Sequence, residues 1–133
     1  MSDLFSDVSM QTVKAALDGL GKRQEVISRN IANVDTPGYQ AQAVNFEDTL
    51  KKAVAHQTDF ALEVTNPLHL ASTTTPTAYR ATARPGGSTR ADGNNVDIDV
   101  ELADMSETGI EYQALTLSAS KKLELLKTIA MSG

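Results

Sequence analysis

Between Met10 and Val34, the positions Met10, Val13, Leu17, Leu20, Gln24, Ile27, Ile31 and Val34 follow one another at alternating steps of three and four. Seven of these eight are apolar. A chain that keeps this spacing over more than three heptads is committed to a helix with one narrow apolar seam, as in a coiled coil, rather than the wider stripe of a globular surface helix. Gly19 and Gly21 interrupt the helix, each at about 1 kcal/mol relative to Ala. They are expected where it bends or where another helix comes close. Gln24 is the lone polar seam position, either tolerated there or selecting the pairing register.

The same helix is expected to end near Asn33. Thr36 stands before Pro37, and a residue before proline is pushed out of the α region. Thr36-Pro37-Gly38-Tyr39 reads as a type II turn, with proline fixing φ at the second position and glycine supplying a positive φ at the third. Asn30 and Asn33 lie one helical turn apart beside this stop, where an asparagine amide can bond freed carbonyls or adopt the left-handed conformation.

A second seam runs through Leu102, Met105, Gly109, Tyr112, Thr116, Ala119, Leu123, Leu126 and Ala130. Its small middle positions predict close helix–helix contact there. Asp97 is placed to cap the N-terminus of this helix, with Asp99 and Glu101 complementing the dipole in the first turn and Lys121, Lys122 and Lys127 toward the other end. From Val96 to Met131 such a helix is about 52 Å long at 1.5 Å per residue.

Between the seams the signals are weaker. Phe46, Leu50 and Val54 predict a short helix over about 45–55, whereas Phe60, Leu62 and Val64 alternate as in an extended segment. Residues 72–95 contain no Leu, Ile, Val, Met or Phe. Without apolar surface to offset chain entropy, they are expected to form a long flexible loop. Three parts follow: an N-terminal helical segment at 1–36, a region of turn, short elements and loop at 37–95, and a C-terminal helix at 96–133 that packs with the first. The predicted fold is mainly α. Two long terminal helices pair as a coiled-coil-like hairpin around a loop-rich, partly disordered middle with little or no β. The packing interface is expected to use Val13, Leu17, Leu20 and Ile27 with Leu102, Met105, Tyr112, Leu123 and Leu126. A two-helix hairpin of this size is marginal alone, so neighbouring molecules are expected to supply much of the ordering.

Composition removes several functions. The 133 residues include no cysteine, which excludes disulfides, thiolate metal sites and cysteine nucleophiles. The net charge of −5 argues against a general nucleic-acid binder. That charge is uneven: residues 1–50 carry 7 acids and 4 bases, 51–91 carry 2 and 5, and 92–133 carry 8 and 3. His56 near Asp59, and His69 near Asn66, make a weak metal set and read as exposed loop histidines. The carboxylates Asp97, Asp99, Glu101, Asp104, Glu107 and Glu111 read as a solvated helix face. No phosphate-binding, nucleophile-elbow or dinucleotide motif occurs, so a non-enzyme without cofactor or metal is expected. The first ten residues hold Asp3 and Asp7 and no base, so no secretory leader and no membrane insertion are expected.

The string Asn30-Ile31-Ala32-Asn33-Val34-Asp35-Thr36-Pro37-Gly38-Tyr39 resembles the N-I-A-N-x-x-T-P-G-Y signature of bacterial flagellar basal-body rod proteins, shared with hook and hook-associated axial proteins. The segments Gly93 to Asp99, Glu111 to Leu115 and Asn45 to Leu50 are similar to those of the proximal rod subgroup. The resemblance implies a structural subunit that polymerises through its terminal helices into the proximal drive shaft, transmitting torque from motor to hook. It implies export from the cytoplasm through the flagellar type III apparatus without a cleaved leader. Implied partners are further copies of itself, other rod subunits, the rod–ring adaptor, the membrane ring and the export gate. Ala32 is small enough to let the turn pack on a neighbouring helix, and Tyr39 offers a ring and a hydroxyl. A soluble coiled-coil adaptor or export chaperone of the same secretion system is the competing reading.

Overall fold

A computed structural model describes residues 8–51 and 79–132. The expectations at Val54, His56, Asp59, Phe60, Leu62, Val64, Asn66 and His69 lie outside the described residues, as does the 72–78 part of the expected loop. The elements run in the order α1 (Val8–Ala32), β1 (Gln42–Val44), α2 (described over 46–51), β2 (Ala81–Ala83) and α3 (Ile98–Ser132). The architecture is mainly helical with little β, as the seams predict.

Helices α1 and α3 lie antiparallel: Asn30 near the end of α1 meets Glu101 at the start of α3, and Arg23 meets Glu111. Asp97 caps α3, its Oδ1 accepting from the amides of Asp99 at 3.0 Å and Val100 at 3.4 Å. That satisfies two of the donors every helix start leaves open. At the other boundary α1 stops at Ala32. The Tyr39 amide then donates to the Thr36 carbonyl at 3.2 Å and Gly38 has φ +72°, which is the type II turn expected from Pro37-Gly38.

The core is small and forms where α1, β1 and α2 converge. Leu20, Val26, Val44 and Phe46 are buried together, with Leu50, Tyr79, Ala81 and Leu115 packed against them. Phe46 and Tyr79 meet edge to face, centroids 6.2 Å apart, an arrangement favoured by the ring quadrupoles. Gly19 admits this packing. A Cβ there would come within 2.8 Å of the Phe46 side chain, so the close approach is by the first residue of α2 rather than by another long helix. Gly21 faces open space.

Two expectations about the middle and the first seam are corrected. Residues 79–95 are not a featureless loop. Ala81–Ala83 pair antiparallel with β1 in the register Gln42↔Ala83, Ala43↔Thr82 and Val44↔Ala81, and the Arg84 amide extends the ladder to the Ala41 carbonyl at 2.9 Å. Gln24 is exposed, and Arg23 takes the inward place in that turn. The inward face of α1 runs through Ala16, Leu20, Ile27 and Asn30, and also includes Gly19 and Val26. Because β1 and α2 lie over it, it is the wider stripe of a helix in a small core rather than a strict seam.

Candidate functional site: a polar clasp between the two halves of the chain

Asn30 is fully buried and bridges three elements. Its Nδ2 donates to the Gln42 carbonyl at 2.8 Å and to Glu101 Oε2 at 3.1 Å. Its Oδ1 accepts from the Gln42 amide at 3.0 Å and from the Tyr39 hydroxyl at 3.2 Å. In this ladder the outward peptide groups of Gln42 point away from β2, and the Asn30 carboxamide meets both as a neighbouring strand would. Asn30 was expected to bond freed carbonyls at the helix end. Only Asn33 does so, through Nδ2 to the Arg29 carbonyl at 2.8 Å, while Thr36 Oγ1 donates to Asn33 Oδ1 at 3.1 Å.

The helix exit is held mainly from the far side of the sequence. Asn94, also fully buried, donates from Nδ2 to the carbonyls of Asn33 at 2.9 Å and Thr36 at 2.8 Å, and its Oδ1 accepts from the Val96 amide at 2.8 Å. Its neighbour Asn95 accepts from the Ala41 amide through Oδ1 at 2.6 Å. The Gly38 amide donates to the Asp92 carbonyl at 2.9 Å, Gln40 Nε2 to the Gly93 carbonyl at 2.7 Å, and Arg90 Nη2 to the Val34 carbonyl. The two turns touch glycine to glycine, since a Cβ on Gly93 (φ +83°) would stand 3.4 Å from Gly38 Cα. The N-I-A-N-x-x-T-P-G-Y and G-N-N-V-D-I-D segments, remote in sequence, are therefore one interlocked structure.

Charge completes the clasp. Glu101 was expected on a solvated helix face and is instead fully buried. Arg84 Nη1 lies 2.8 Å from Glu101 Oε1 and its Nη2 lies 3.0 Å from Asp104 Oδ2. Glu101 Oε1 accepts no aligned hydrogen bond, so its contact with Arg84 is coulombic. Removing one partner from such a buried pair is costly because an uncompensated charge remains. Two turns back along α1 from Asn30, Arg23 pairs with Glu47 at 2.5 Å and approaches Glu111 at 3.6 Å, with its guanidinium 4.6 Å above the Phe46 ring. A cleft of about 350 Å³ opens between these two arginines, lined also by Gln42, Glu47, Asp104 and Thr108. No group of three or more metal-ligating side chains occurs among the described residues.

The remaining residues singled out from the sequence divide by location. Leu20 and Ile27 are buried; Val13, Leu17, Ile31, Tyr39, Met105 and Leu126 are half-buried; Ala32, Thr36, Pro37 and Gly38 are exposed. On α3 the side turned to α1 runs through Glu101, Asp104, Thr108, Glu111, Leu115, Lys122 and Leu126, offset from most of the expected seam. Leu102, Tyr112 and Leu123 consequently face outward, 50%, 41% and 39% exposed. The buried Glu101 fixes this rotation, because turning Leu102 inward would withdraw the carboxylate from Arg84 and Asn30. Arg23, Arg84, Asn94 and Asn95 were not singled out for this role by sequence reasoning; the doubled asparagine before an acidic helix start was the one signal available.

An antiparallel helical pair fastened at the signature turn, with apolar side chains left bare along one helix, is a structural element with surface left to be covered. Residues 10–40 match the family model described as flagella basal body rod protein, and the chain belongs to the flagellar basal body rod protein family. Its similarity extends well beyond those residues. It is 34% identical to the flagellar basal body rod protein FlgB of Bacillus subtilis over 98% of both chains, and 34% identical to FlgB of Escherichia coli over 96% of both. FlgB of Aeromonas hydrophila is 40% identical over 86% of each chain.

Proposed function

We propose that this chain is a FlgB-type structural subunit of the bacterial flagellar basal-body rod, built into the proximal drive shaft through contacts of its terminal helices. One observation carries the reading. Helix α3 bears exposed large apolar side chains along its whole length, from Ile98 through Leu102, Ile110, Tyr112, Leu117, Leu123, Leu125 and Ile129 to Met131. A helix that is apolar on several sides is stable only when covered on several sides, and α1 covers one. Sister subunits and other rod proteins supply the rest, with Leu102, Tyr112 and Leu123 in the interface and the exposed Ala32-to-Gly38 turn seated on a neighbour. The rod–ring adaptor, the membrane ring and the export gate are the further partners this role requires. Delivery from the cytoplasm without a cleaved leader completes the proposal.

The test is incorporation into purified basal bodies. Leu102→Asp and Leu123→Asp should each abolish incorporation and swimming while leaving the helix content of the isolated chain unchanged. The wild-type protein recovered from basal bodies should retain its N-terminal segment by mass. A chain found only in the cytosol, bound to export components, would favour the adaptor or chaperone reading instead.

A further inference from the structure

Among the exposed side chains of α3, Glu107, Ile110, Ala114, Leu117 and Lys121 recur at steps of three, four, three and four. They form one straight stripe, about a third of a turn round the helix from the side that faces α1. All five are exposed, Ile110 at 69% and Leu117 at 59%. Among the described residues the clasp, the ion pairs and the core lie on the other side of the helix.

The order of residues in the stripe is palindromic in chemistry. An acid and a base stand equally far from Ala114, at 107 and 121, and two branched aliphatics flank it, Ile110 four residues before and Leu117 three after. Laid antiparallel against a second copy with the two-fold axis at Ala114, Glu107 meets Lys121 of the other copy and Lys121 meets its Glu107. Leu117 of one copy comes to the level of residue 111 of the other, about 1.5 Å along the axis from its Ile110, so the two aliphatics pack side by side twice, and the two Ala114 residues face each other with nothing bulky between the helices. The next outward pair sets exposed Ala103, eleven residues before Ala114, against exposed Leu125, eleven after. Parallel in-register pairing would instead set Glu107 against Glu107 and Lys121 against Lys121. Like charges so placed are repulsive and opposite charges attractive, as at the flanking positions of a coiled coil.

We infer that the unassembled chain associates with a second copy of itself through this stripe, as a closed antiparallel α3–α3 dimer. The contact is isologous: the same patch serves on both sides, and the pair has no free half with which to recruit a third molecule. Such a dimer covers α3's barest aliphatics but cannot extend into a fibre. It is a state of the free protein that competes with polymer growth, distinct from any contact within the rod.

Because the chain has no cysteine, the geometry is directly testable on the full-length protein. A lone cysteine from Ala114→Cys lies on the two-fold axis and should form a disulfide-linked dimer under mild oxidation. A lone cysteine from Glu107→Cys should not. In the antiparallel pair its mate lies 14 residues further along, about 21 Å away at 1.5 Å per residue, far beyond disulfide reach. Equal cross-linking at both positions, or none at 114, would overturn the inference.

A charge exchange gives a second readout by sedimentation. E107K and K121E should each weaken association at least tenfold. The double variant E107K/K121E should recover it, and the two single variants mixed together should associate with each other. Failure of the double variant and of the mixture would also overturn the inference. These outcomes are independent of the rod assignment, which stands or falls on recovery of the wild-type chain in basal bodies.

Discussion

Removing the Asn30 amide should have an effect out of proportion to its size. Asn30→Ala strips partners from the Gln42 amide, the Gln42 carbonyl and one oxygen of the buried Glu101, and leaves the Tyr39 hydroxyl to find water. A buried polar group without a partner costs about 1–3 kcal/mol, and a charged one more. Three such groups therefore amount to roughly 3–9 kcal/mol, against the 5–15 kcal/mol that holds a typical domain together. The equivalent change at Asn33 loses one exposed bond to the Arg29 carbonyl and one from Thr36, worth about 1 kcal/mol. The two asparagines of one short string should thus differ severalfold. Urea unfolding of the purified chain, followed by helix signal, gives both values. An Asn30→Ala midpoint no lower than that of Asn33→Ala would refute the claim that Asn30 acts as a surrogate strand edge. A double-mutant cycle of Asn30→Ala with Glu101→Gln should return a coupling of about 1 kcal/mol or more, since the two side chains share one hydrogen bond.

The glycines of α1 should respond in opposite directions. Gly21→Ala enters open space and should raise stability by up to about 1 kcal/mol through helix propensity, whereas Gly19→Ala meets Phe46 and should give no gain or a loss; thermal melts of both variants check this. Tyr79 supplies a pH signature. Its hydroxyl donates to the Ala15 carbonyl at 2.7 Å, and burial, with Asp18 adding repulsion, holds its pKa above the ordinary value. A raised folded-state pKa favours the protonated form, so this stabilisation is complete below about pH 10 and is lost as pH rises through the raised value. Tyr79→Phe should remove that alkaline dependence, read as unfolding midpoints across a pH series.

What could be read from the sequence was local chemistry. The end of α1, the Pro37-Gly38 turn and the Asp97 cap each depend on residues within a few positions of one another, and each is where the spacing puts it. The facing of the helices was only half legible. Leu20 and Ile27 belong both to the narrow seam and to the wider inward stripe, but the choice between Arg23 and Gln24 depends on β1 and α2 lying overhead, which periodicity does not encode. The clasp was hidden for a related reason. Asn30 and Glu101 are 71 residues apart, and Asn94 reaches back 61 residues to Asn33. Glu101 therefore reads as an ordinary first-turn acid until Arg84 is placed beside it. Residues 79–95 carry too little apolar surface to announce any order in the sequence. Their order comes from asparagine side chains and backbone turns that satisfy peptide groups directly, with only Tyr79 and Ala81 touching the core.

Asn94 also sets a matter of timing. The carbonyls of Asn33 and Thr36 receive their side-chain donor only from a residue some sixty positions later. Until that residue arrives, the end of the first helix faces water and its last turn is free to fray. During synthesis, which releases the N-terminus first, the leading helix is therefore unsealed until residue 94 follows it.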